Sequence, residues 1–133
     1  MKVKCIANIG EGLSEGTLEK IGGFKTSKFP VKLHENYIVY AQAIYSDVLQ
    51  YLLIGSDENL PSWYPAELFE IEDPLLYYEQ YFSCKPNQLV SAIWGFKEIV
   101  FDENYFFDLI ERKDDAIRIF LKRKFEIEEF FKD

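Results

Sequence analysis

From residue 33 to residue 84 the chain has no lysine and no arginine. That stretch holds nine acids: Glu35, Asp47, Asp57, Glu58, Glu67, Glu70, Glu72, Asp73 and Glu79. Outside it, 14 acids face 15 bases, so the net charge of -8 resides almost wholly in one continuous segment. Other scarcities exclude classes of function. Cys5 and Cys84 are the only cysteines, too few for a disulfide scaffold, and both are expected to be buried reduced thiols. His34 is the only histidine. A Ser-His-Asp or Cys-His site must use it, and it lies in a polar turn beside Glu35 and Asn36. A zinc site would need Cys5, Cys84, His34 and a carboxylate to converge, with no local ligand pair to start it, so no metal is expected. No run approaches the ~18 apolar residues of a membrane span, and Met1-Lys2-Val3-Lys4-Cys5-Ile6 lacks a signal core. A soluble, cytoplasmic chain without membrane contact is expected. The densest basic cluster, Lys122-Arg123-Lys124, is flanked by acids, which argues against nucleic acid.

What is present is apolar and aromatic. Apolar residues make up 48% of the 133 and aromatics 17%, enough for one packed domain with most rings in its core. Gly10-Glu11-Gly12-Leu13-Ser14-Glu15-Gly16 nearly spells a dinucleotide fingerprint. Its last glycine comes one residue late, two glutamates would face the phosphates, and no phosphate loop is completed. No cofactor is expected.

Residues 2 to 7 alternate like a first strand. Residues 8 to 32 read as a long loop with a short helix around Thr17 to Ile21, pinned to the core by Leu13, Leu18, Ile21 and Phe24. Residues 36 to 45 and 48 to 54 predict a hairpin turning at Ser46-Asp47. Two short strands, 62 to 65 and 68 to 71, join at Pro65-Ala66. Residues 77 to 82 and 89 to 101 predict an extended pair around Lys85-Pro86-Asn87, with helix as the alternative for either. Within it, Gly95 between Trp94 and Phe96 points to close backbone approach at a packing joint. Beyond Asp102, a candidate N-cap, apolar residues recur at helical spacing. A second candidate cap at Asp114 predicts a break near Lys113-Asp115, because one helix from 103 to 131 would span ~44 Å.

Pro65-Ala66-Glu67-Leu68-Phe69-Glu70-Ile71 resembles the end of an SH3-type barrel, where a Pro-Ala pair opens a short 3₁₀ turn before a last strand. Leu33, Tyr37 and Val39 resemble the diverging turn of the same family. The resemblance covers residues 1 to 72. It implies an α+β fold: an SH3-like antiparallel β-barrel in the N-terminal half (1–72), and a short β-pair with two C-terminal helices (73–133) sharing the core in one domain. SH3 domains bind proline-rich peptides through an aromatic groove and an acidic loop. Trp63, Tyr64, Asp57 and Glu58 could supply these, but the usual N-terminal Ala-Leu-Tyr-Asp-Tyr segment is replaced by Val3-Lys4-Cys5-Ile6-Ala7.

Size, acidity and the lack of a catalytic constellation also resemble the bacterial immunity proteins, cytoplasmic inhibitors that neutralise a cognate toxin domain in polymorphic-toxin and contact-dependent inhibition systems. The resemblance implies a non-catalytic partner for a basic, nuclease-type protein. Asp57, Glu58, Glu67, Glu70, Glu72 and Asp73 would form the docking face, with Trp63 and Tyr64 as apolar anchors. The alternatives are an SH3-like adaptor with a groove at Trp63, and a small enzyme using His34 or a carboxylate pair.

Overall fold

The computed structural model describes residues 1–132. The chain is α+β, with two antiparallel sheets and four helices. Strand β1 (Lys2–Cys5) is the centre of a three-stranded sheet, flanked by β2 (Asn36–Ile38) and β6 (Phe69–Asp73). The second sheet has five strands in the order β5 (Ser62–Pro65), β4 (Val48–Leu53), β3 (Ala41–Tyr45), β8 (Val90–Gly95) and β7 (Tyr81–Cys84).

The expected strand 36–45 is split in two, and the hydrogen bonds show why. The Val39 N–H still donates to Met1 of the first sheet, while the Tyr40 N–H already donates to Leu52 of the second. The chain passes between sheets there without a loop. The return passage runs through Pro65, whose φ of -54° leads into a 3₁₀ turn at Ala66–Leu68 and then into β6. The β3–β4 hairpin turns at Ser46 and Asp47, with φ of 53° and 59°. Two successive positive φ values match the twist of the strands they join.

Strand β4 is an almost unbroken apolar run because both of its faces are covered. Tyr51 and Leu53 enter one core with Val3, Cys5, Val39, Tyr64, Leu68 and Phe69. Leu52 faces the other, with Ala41, Ala43, Ile93, Phe96 and Phe120. That second core is roofed by helices α2 (Lys97–Phe101), α3 (Tyr105–Ile110) and α4 (Asp114–Phe130). Gly95 sits at the joint: a Cβ there would lie 2.9 Å from Ala41 Cβ and 3.0 Å from Ile99 Cγ2, so the bare backbone allows strand and helix to close.

Several expectations need correction. Residues 89–101 are not one extended segment; the strand stops at Gly95 and α2 follows, so three helices, not two, close the fold. Strand β7 begins at Tyr81, not Tyr77. The expected break before α4 is present, between Ile110 and Asp114, and is made by Arg112, in the left-handed region at φ 61°. Its guanidinium donates to the Pro61 carbonyl and to Ser62 Oγ at 3.0 Å, which locks the bend onto β5. Asp102 accepts from the Asn104 N–H at 3.0 Å, but Asn104 holds the N-cap position of α3 and Lys113 that of α4. Phe24 does not pin the long loop: it is 73% exposed, while Leu13 and Leu18 are buried. Cys5 is buried and Cys84 is exposed, both as free thiols. No helix among the described residues is long and apolar enough to cross a membrane.

Candidate functional site

Strand alternation separates Trp63 from Tyr64, because neighbours on a strand point to opposite faces. Tyr64 is buried with Phe69 inside the first core. Burial, then the nearby Glu58, raises its phenol pKa. Trp63 points the other way and stacks on Phe106 with ring centroids 5.0 Å apart. It lines a cavity of about 220 Å³ at the seam between sheet and helices, with Gln50, Leu109 and Arg112. Its indole N–H is buried without a hydrogen-bond partner. Tyr64 is therefore not a surface anchor, which corrects that expectation, whereas Trp63 is half-buried, with its ring on Phe106 and its edge along the cavity.

The acidic residues fall into three groups. Glu67 belongs to the fold. Its carboxylate accepts from the Ser14 N–H at 2.9 Å, Ser14 Oγ at 3.0 Å and Thr17 Oγ1 at 2.6 Å. Ser14 is the N-cap of α1 (Glu15–Ile21), so this carboxylate takes an N-terminal N–H that the helix leaves unpaired, at the positive end of the helix dipole. The Thr17 hydroxyl, with further help from Ser14, holds the Glu67 carboxyl below the usual carboxylate range. Glu67 staples the long loop to the 3₁₀ turn.

The second group lies on β6, whose outer edge has no strand partner. Glu70 and Glu72 are exposed. Lys4 of β1 is registered opposite Glu70 and pairs with Glu72 at 3.4 Å. Asp73 is half-buried; it lies opposite Lys2 and accepts from the Leu75 N–H at 3.0 Å. It also lies near the Met1 ammonium, whose pKa burial pulls down to about 6 against the opposing effect of Asp73. Bases from the N-terminus therefore dilute this part of the surface.

The third group is the tip after β4. Asp57 and Glu58 are exposed there, beside a third carboxylate, Glu35. The Tyr37 hydroxyl lies 2.5 Å from Ser56 Oγ and accepts from the Lys32 N–H at 2.9 Å. Both hydroxyls approach Glu35 Oε2 at 3.4 Å. Ser56 N–H donates to Pro30 at 2.7 Å. Gly55 is required beneath the tip, since a Cβ would fall 2.5 Å from the Pro30 carbonyl. The tip is thus a braced turn with three acids, two of which, Asp57 and Glu58, belong to the expected docking face.

Of the nine carboxylates between residues 33 and 84, only Glu72 lies within 4 Å of a lysine or arginine nitrogen among the described residues. His34 is exposed in a turn at φ 71°. No group of three metal-ligating side chains occurs among the described residues. Comparison with protein-family models, with curated proteins and with solved structures returned no match.

Proposed function

We propose that this chain is a non-catalytic binding protein that neutralises a cationic partner, in the manner of a cytoplasmic immunity protein acting on a basic, nuclease-type toxin domain. One observation carries the reading: among the described residues, eight of the nine carboxylates of the base-free segment have no ion-pair partner. Unpaired anions on a folded surface repel each other and sum to a negative field, which draws in a cationic protein and speeds its association. Glu35, Asp57 and Glu58 on the braced tip are the centre of this surface, with Glu70 as an outlying contributor. Glu67, Asp73, Trp63 and Tyr64 serve the fold.

The strand order supports an SH3-like barrel as the frame for residues 1 to 72. Strand β1 lies between β2 and β6, the β2–β3 run crosses from one sheet to the other, and a 3₁₀ turn joins β5 to β6. In this frame the acids occupy a loop tip and an edge strand. For the adaptor alternative, Trp63 offers only the edge of a cavity of about 220 Å³, since its ring is stacked on Phe106.

Affinity capture from a lysate of the source cell tests the proposal. A basic protein is expected to be retained at about 50 mM salt and shed at several hundred millimolar, because exposed charges are screened over a Debye length. A triple substitution, Asp57→Lys, Glu58→Lys and Glu70→Lys, is expected to slow its association roughly ten- to a hundredfold. Capture unaffected by both salt and charge reversal contradicts the reading.

A further inference from the structure

A groove of about 550 Å³ runs between residues 77–79 and the last turns of α4, and none of the tip residues Glu35, Asp57 and Glu58 lines it. Its floor is Tyr77, which is buried. Phe130 stands edge-on to Tyr77 at 5.3 Å, and Tyr78 lies 5.6 Å from Phe130. Tyr78 and Phe125 leave 76% and 66% of their surface in water, an unfavourable position for large rings. Glu79, Glu126 and Glu129 complete the lining, which contains no base.

The three carboxylates are only partly engaged. Glu79 has a single long contact, from the Tyr81 hydroxyl at 3.5 Å. Glu129 meets the exposed Lys132 at 3.6 Å. Glu126 accepts from Arg123 at 2.9 Å through Oε2 alone, and Arg123 gives its remaining contacts to both oxygens of Glu98. Aromatic faces beside carboxylates are complementary to one side chain above others. A guanidinium is planar, stacks on rings and forks onto carboxylates, while its methylene stem covers apolar surface. Lysine satisfies the charge but not the stacking or the fork.

We propose that this groove receives an arginine side chain of the partner. The inference rests on the cationic-partner reading above, and it names a contact that the acidic tip does not provide. The test is an NMR titration of the isotopically labelled full chain with the capped peptide acetyl-Gly-Arg-Gly-amide, alongside its Lys and citrulline counterparts. The Arg peptide is expected to give saturable shifts confined to residues 77–79 and 125–130. The Lys peptide is expected to bind about threefold more weakly, and the neutral citrulline peptide not measurably. Phe125→Ala and Glu79→Gln, both at exposed positions, are each expected to weaken the Arg peptide roughly three- to tenfold and leave the rest of the spectrum unchanged. Shifts gathered around Glu35, Asp57 and Glu58 alone would overturn the groove and leave the broader reading standing. Equal binding of the citrulline peptide, or no saturable shift, would also overturn it, and lysate capture would then judge the broader reading independently.

Discussion

Residues 33–84 and the C-terminal helical region use the same kind of charge to opposite ends. In the first, one carboxylate in nine has an ion-pair partner. In the second, residues 97–132, seven of ten do: Glu98, Asp108, Glu111, Asp115, Glu126, Glu128 and Glu129. The helices achieve this largely by spacing, with Asp115–Arg118, Arg123–Glu126, Lys124–Glu128 and Glu129–Lys132 three or four residues apart on one face. One pair reaches further: Arg123 is fixed by both oxygens of Glu98 at 2.8 Å each, tying α4 to α2. Net charge therefore says little about a surface until pairing is known. The helical region sets ten acids against eight bases and pairs most of them, whereas the base-free segment keeps its field.

Arg123→Met removes the fork and leaves Glu98 and Glu126 partly buried without their partner. A stability loss of about 2 kcal/mol is expected from denaturant unfolding. A loss within error would mean that pairing in the helices is incidental.

Acid titration sharpens the contrast. The Arg123 hydrogen bonds hold the Glu98 carboxyl below the usual range, as those from Thr17 and Ser14 do for Glu67. Both native pKa values lie below the unfolded ones, so each carboxylate stabilises the fold above the unfolded value. That contribution is lost as pH falls below ~4.5 and through the native values. Glu67→Gln is expected to cost about 1 kcal/mol at pH 7 and progressively less as the pH is lowered. A pH-independent cost would separate the effect from the carboxylate's charge.

The smallest expected effect concerns the tip. Replacing Asp57 by asparagine and Glu58 by glutamine is expected to change stability by less than about 0.5 kcal/mol, since both are exposed, neither is ion-paired among the described residues, and asparagine tolerates the φ of 61° at residue 57. A large loss would place them in the fold, as Glu67 is.

Much of the N-terminal half was legible from its residues. The turn chemistry of Ser46-Asp47 and Pro65-Ala66 and the β-branched, aromatic runs on either side place its strands to within a residue or two. Pattern alone missed the sheet change at Val39-Tyr40, because a strand that crosses between sheets keeps the same local geometry. It also ran the 89–101 segment past Gly95, where apolar residues continue but their period changes from strand to helix. The site was less legible. Glu67 looks like its acidic neighbours until Ser14 and Thr17, some fifty residues earlier, are brought against it. Trp63-Tyr64 suggested a surface pair, yet alternation sends them to opposite faces and this sheet is covered on both. Glu35 joins the tip only through its contact with Ser56, which arises in three dimensions. The groove at Tyr78 combines residues from the base-free segment with α4, so neither stretch announces it alone.

The most direct test is the ionic-strength dependence of association with the captured partner, for two variants matched in charge. One carries glutamine or asparagine at Glu35, Asp57 and Glu58; the other carries them at Asp108, Glu111 and Asp115. The first is expected to lose most of the salt dependence of the association rate, and the second to keep it. Equal losses in both would show that overall charge, and not the unpaired tip, draws the partner in, and would contradict the account.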